Sequence, residues 1–208
     1  GSYARQAAPF SAPANGVISN SGTITFSTPA ADWGAVTHFT VFDAVSSGNL
    51  LYFGPLASSR IIKAGDAVSW SAGTLQVTET GANESHYLGN KILNMFLRNT
   101  TFTAPAAVYV ALHTADPTPN GTGAEVTGGN YARSSMAFGA PASGVMTNSG
   151  TVTMNTPNAT WGTITNFAFW DAAAAGNMLV FSPLAAARVI NTGDTPSYAT
   201  SSVTVTAT

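Results

Sequence analysis

Apolar and polar residues alternate in short runs along most of the chain. Thr23-Ile24-Thr25-Phe26 and Thr151-Val152-Thr153-Met154 each place an apolar residue at every second position, the period of a strand with one buried face. Thr37-His38-Phe39-Thr40-Val41-Phe42 and Thr165-Asn166-Phe167-Ala168-Phe169-Trp170 are longer versions, with Phe39 and Val41 on one face and Phe42 or Trp170 on the other. Leu50-Leu51-Tyr52-Phe53, Arg60-Ile61-Ile62 and Leu75-Gln76-Val77-Thr78 add further short strands. Asn20-Ser21-Gly22, Ser46-Ser47-Gly48-Asn49 and Ala64-Gly65-Asp66 carry the turn residues between them.

The period changes once. Between Asn83 and Asn99, Leu88, Ile92, Met95 and Phe96 recur on one stripe at helical spacing. Asn83 or Ser85 can cap the start, Glu84 suits the first turn and Arg98 the last. A strand, residues 107–113, follows. The loop after it, Thr114 to Asn130, holds Pro117 and Pro119, which forbid regular structure.

The pattern also repeats. Tyr3-Ala4-Arg5 returns as Tyr131-Ala132-Arg133, an offset of 131 − 3 = 128, and the register then holds without a gap. It places Trp33 on Trp161, Asp43 on Asp171, Arg60 on Arg188 and Asp66 on Asp194. A repeat sets the architecture before any single residue does. The expected fold is therefore all-β: a β-sandwich, jelly-roll or Ig-like, repeated in tandem, with one short α-helix in the middle of the chain. Residues 1–80 form a truncated repeat, and residues 81–208 a complete one with helix 83–99 and sandwich 107–208. Residues 3–80 then lack a counterpart of 81–130. Three outcomes are open: their sheet edge pairs with another chain, residues 81–130 are shared, or the block is self-sufficient. Gly1-Ser2 read either as a cloning scar or as the counterpart of Gly129-Asn130 in a longer array.

Composition narrows the function classes. Only 8% of residues are charged, against about 25% in an ordinary domain. With 7 Lys and Arg against 9 Asp and Glu, there is no footprint for nucleic acid or for an anionic membrane surface. Little charge repulsion remains to keep copies apart, which suits a protein that lives in an assembly. Cysteine is absent, which removes disulfides and thiolate chemistry. No apolar run approaches a membrane helix.

Candidate chemistry is sparse. His38 is replaced by Asn166 in the second copy, and neither His86 nor His113 has neighbours that would complete a metal set. No metal, cofactor or catalytic residue is expected. Asp43, Asp171, Asp66 and Asp194 read as turn residues whose carboxylates accept backbone N–H groups. Arg60 and Arg188 lie within apolar strands and need partners, so structural ion pairs with Asp43 or Asp66, and with Asp171 or Asp194, are expected. Trp33 and Trp161 are candidate sugar-stacking platforms, weighed against the commoner role of core plugs.

One resemblance adds to this. Residues 87–93 (Tyr87-Leu88-Gly89-Asn90-Lys91-Ile92-Leu93), 108–117 (ending Thr114-Ala115-Asp116-Pro117) and 125–133 (ending Tyr131-Ala132-Arg133) resemble small phage and prophage proteins labelled tail-fibre or structural. So do Trp161-Gly162-Thr163-Ile164-Thr165, Phe169-Trp170-Asp171-Ala172 and residues 176–181. The resemblance implies a non-enzymatic virion structural protein, tail-fibre or tail-associated, assembled in the bacterial host cytoplasm and acting by assembly and surface display. Its implied partners are other virion proteins and copies of itself, with a trimer expected from the habits of fibre and decoration proteins. A host surface glycan is a further candidate partner, while nucleic acid and membrane insertion are not expected. The contact sites expected are the loop Thr114–Asn130 and the turns Ser46–Asn49 and Ala173–Asn177. The rival readings are a capsid decoration protein and a carbohydrate-binding adhesin module.

Overall fold

The computed structural model describes residues 3–206; Gly1 and Ser2, and the reading of them as a scar, lie outside the described residues. The described chain is all-β with a single short helix. It forms two compact units. Unit 1 holds the residues up to Glu79 together with Asn90–Phe102. Unit 2 holds Thr80–Gly89 and the chain from Thr103 on. The division thus runs through the helix instead of ahead of it.

Unit 1 is a set of nested antiparallel pairs. β1 (Val17–Ser19), β2 (Ile24–Thr25), β3 (Gly34–Phe42), β4 (Leu50–Ile62), β5 (Ser69–Trp70) and β6 (Gln76–Thr78) follow in order. The innermost pair is β3 with β4, then β2 with β5, then β1 with β6. The two short apolar runs read separately at Leu50–Phe53 and Arg60–Ile62 belong to one 13-residue strand. A register shift between Val36 and His38 lets Leu56–Ser59 bulge out of the pairing within that strand.

Helix α1 (His86–Leu97) follows. Ser85 caps it: its Oγ accepts the Leu88 N–H at 3.1 Å. Asn99, at φ 50°, closes the far end, with the Thr100 N–H reaching the Asn94 carbonyl. The expected stripe is displaced by one position. Met95 and Phe96 are 38% and 50% exposed, whereas Leu93 is fully buried against Ile18 and Val77. Asn90 fixes that rotation, its Oδ1 accepting the Gly16 N–H at 2.9 Å.

Unit 2 repeats the nesting and adds to it. Its strands are β7 (Val108–His113), β8 (Ser134–Met136), β9 (Val145–Thr147), β10 (Val152–Thr153), β11 (Gly162–Trp170), β12 (Met178–Ile190), β13 (Ser197–Tyr198) and β14 (Thr204–Thr206). β11–β12, β10–β13 and β9–β14 reproduce the three pairs, with shifts at the equivalent places, Ile164/Asn166 and Phe169/Trp170. The addition is β7, which lies on the free edge of β11 and extends the sheet to β12-β11-β7-β8. The last four residues of β7 are all buried. Its unbroken apolar run is the signature of a strand covered on both faces.

Two core clusters flank β11 and β7. Leu112, Val126, Met154, Trp161, Ile164 and Ile190 form one, and Val110, Met136, Val152, Phe169 and Val203 another. A third, Ala111, Ala168, Trp170, Met178 and Phe181, occupies the opposite face of the sheet.

Candidate functional site

In unit 2 a network of side-chain hydrogen bonds surrounds β7. In register, His113 faces Asn166, Ala111 faces Ala168 and Tyr109 faces Trp170 across the β11 edge. The Leu112 N–H donates to the Tyr131 hydroxyl at 2.9 Å, and that hydroxyl donates to Glu125. Burial raises the Tyr131 phenol well above its ordinary pKa. The Glu125 carboxylate accepts from Arg133 Nη2 at 2.7 Å and Nε at 2.8 Å, a bidentate pair. Arg133 also donates to the carbonyls of Ala172 and Ala175, and lies 3.8 Å above the Trp170 ring. One arginine therefore ties the loop after β7 to the β11–β12 turn.

The loop 114–130 is built inward more than displayed. Val126 and Pro117 are buried, and the Val126 N–H bonds back to Leu112. Gly121 packs between Met178 and Trp170. His113 is fully buried, its Nδ1 paired with the Gly123 carbonyl at 2.7 Å and its Nε2 without a hydrogen-bond partner. Desolvation holds its pKa below the ordinary value.

Unit 1 has the counterpart frame without that strand. A cavity of about 630 Å³ opens beside β3. Arg5 keeps half of the arrangement: it donates to the carbonyls of Ala44 and Ser47 and lies 3.4 Å above Phe42. The aromatic floor is Tyr3, Phe26, Trp33 and Trp70, in stacked and edge-on contacts 5.3 to 6.1 Å between centroids.

The aspartates expected in ion pairs hold turns. Asp43 Oδ1 accepts the Asn49 N–H at 2.7 Å and Oδ2 the Asn49 side chain at 2.8 Å; Asp171 does the same with Asn177. The Asn49 side chain and N–H, with Arg5 nearby, hold the Asp43 carboxyl below its ordinary pKa. Asp66 and Asp194 accept the N–H groups of Lys63 and Asn191. Arg60, expected to meet Asp43 or Asp66, instead donates to the Ser69 carbonyl at 2.8 Å and lies 5.5 Å from the Trp70 ring. Its counterpart Arg188 lies on an exposed stretch of β12, and the ion pair shown in unit 2 belongs to Arg133. The reason is geometric: short turns bring carboxylates to their own backbone N–H groups first.

Trp161 is a core plug. It is 6% exposed, edge-on to Tyr131, and donates its Nε1–H to the Gly129 carbonyl at 2.9 Å. It has no face left for a sugar. Trp33 is half-buried, edge-on to both Tyr3 and Phe26. The Glu125–Arg133–Tyr131 cluster is not among the sequence-based expectations. Its one signal was Tyr-Ala-Arg recurring in both copies, with Glu125 eight residues before Arg133.

Among the described residues no three His, Cys, Asp or Glu side chains gather as a metal set. Among the described residues no helix is long and apolar enough to cross a membrane. A family model described as "Podophage GP4 fiber I protein gp80" matches residues 1–78 and 83–206. No curated protein matches the chain.

Proposed function

The chain belongs to the podophage GP4 fiber I protein gp80 family, and from that premise we propose a non-enzymatic fibre subunit that works by assembly and surface display. As a member of that family it is a structural protein of a phage particle. The observation that supports display is the pair of framed turns. Both units hold the turn after the long central strand by the same two Asp–Asn hydrogen bonds and by an arginine on its carbonyls. The tips differ: Ala44-Val45-Ser46-Ser47 in one, Ala172-Ala173-Ala174-Ala175 in the other. Val45 is 73% exposed. A constant frame with a changeable exposed tip is how a rigid scaffold carries binding residues. The partners on this reading are other virion proteins, copies of the same chain, and a host surface group.

Because the chain has no cysteine, Ser46→Cys gives a single labelling site. A gold label there is expected on the tail fibres of intact particles, and the purified chain is expected to compete with particles for host cells. Label spread over the head lattice would replace this reading with capsid decoration. Loss of competition in a folded Val45→Glu variant would put the contact at the tip.

A further inference from the structure

We infer that unit 1 is an acceptor for a β-strand that the described residues do not supply, and that the donor segment has the chemistry of residues 104–130 of this chain. The inference deepens the assembly reading above and rests on it for the particle setting, but its geometry stands alone.

What would fill the unit 1 cavity is shown in unit 2, because the two units share a frame. The β11 residues that pair with β7 run from Asn166 to Trp170. Their counterparts, His38, Phe39, Thr40, Val41 and Phe42, all line the cavity. The β8 residues that flank β7 on its other side are Ser134, Ser135 and Met136. Their counterparts, Gln6, Ala7 and Ala8, line the cavity as well. Both walls of a strand slot are present, and the outer edge of β3 has no strand neighbour among the described residues. An open edge beside an apolar trough is a template for an added strand.

Burial differs between the two units at the same positions. Ala168, paired with Ala111 of β7, is fully buried, while its counterpart Thr40 is exposed. Phe181 is 7% exposed and Met178 3%, covered with Gly121 and the segment around Asn83. Their counterparts Phe53 and Leu50 are 73% and 50% exposed. The face of the β3–β4 hairpin that carries Thr40, Phe53 and Leu50 therefore lacks the cover its counterpart has in unit 2.

Charge specifies the donor further. In unit 2 the bidentate partner of Arg133 is Glu125, which follows the end of β7 at His113 by 125 − 113 = 12 positions. Arg5 keeps the carbonyl contacts and the aromatic ring of Arg133, and a counterpart of that carboxylate is what a donor would bring. Tyr3, 59% exposed, stands where Tyr131 bridges strand and carboxylate. The donor is thus an extended apolar strand followed about a dozen residues later by a carboxylate that reaches Arg5. A second copy of this chain is a poor source. Its own segment is already built into unit 2, so exchange would open one slot to fill another.

The test uses the full chain and a fluorescent synthetic peptide of residues 104–130. One peptide is expected to bind per chain, seen by anisotropy and native mass spectrometry. Hydrogen exchange is expected to slow at residues 38–42 with no loss of protection at 108–113. Val41→Lys, which puts a charge into the slot, is expected to abolish binding. Arg5→Glu is expected to weaken binding by about tenfold or more, and a peptide carrying Glu125→Arg to restore it. Circular dichroism on each variant establishes that it is folded, and the charge-swap rescue reads binding independently of any loss of stability. No binding by the folded full chain overturns the proposal. So does binding that strips protection from 108–113, or dimers of the chain alone that the peptide dissolves, which would make the occupant a second copy. Peptide binding with no label on the fibres would sink the fibre reading and leave the acceptor slot standing.

Discussion

At the scale of single residues, the turns carry the most constrained chemistry. Gly176 sits at φ 73°, and a Cβ there would lie 2.4 Å from Asp171 Oδ1 and 2.7 Å from the Ala172 Cβ. Gly176→Ala is expected to destabilise unit 2 by about 1–3 kcal/mol, read as a fall in its urea midpoint. His113 gives a pH dependence. Its folded pKa lies below the ordinary value because the ring is buried, so the unfolded chain takes up the proton first. That contribution to stability is present above the unfolded pKa of about 6.5 and is lost as pH falls below it. The urea midpoint of unit 2 is expected to drop between about pH 7.5 and 5.5, and the drop to shrink in His113→Gln. The turn role of the four aspartates was legible, because Asp beside Gly or before a short turn has backbone N–H groups within reach. The partner of the arginines was not. Glu125 and Arg133 meet only because β7 and the start of β8 lie side by side, and no spacing rule encodes that neighbour.

At the scale of elements, alternation located the strands, and the helical period located α1 to within three residues at either end. It mislaid the buried face. Period alone cannot choose between the Leu88–Ile92–Phe96 stripe and the adjacent one through Leu93, and the Asn90 hydrogen bond decides. Leu93→Ala is expected to cost unit 1 about 2–5 kcal/mol, since Leu93 is fully buried between Ile18 and Val77. The melting of unit 2 should stay in place, which fluorescence of Trp33 and Trp70 against Trp161 and Trp170 can resolve in single-tryptophan variants. The apolar run of β7 was visible as a strand. That it would pair with β11, far along the chain, was not, because strand pairing is set by tertiary packing.

At the scale of the whole molecule, the same three nested strand pairs occur in both units, and β7 is added in unit 2. Among the described residues β11 has a strand on each side and β3 has one. Backbone amides of β3 are therefore expected to exchange faster than those of β11 in the free chain, a difference read by mass spectrometry. The nesting of the pairs has a consequence for how the chain folds. The outermost register, Val17 with Thr78, joins residues far apart in sequence, yet everything between them is already folded back once β3–β4 and β2–β5 have closed. Each enclosing pair then closes only a short remaining loop, so the entropic barrier stays low despite the long sequence separation. Folding would run outward from the Asp43–Asn49 turn, and the loop that faces solvent would be the first part of the unit to take shape.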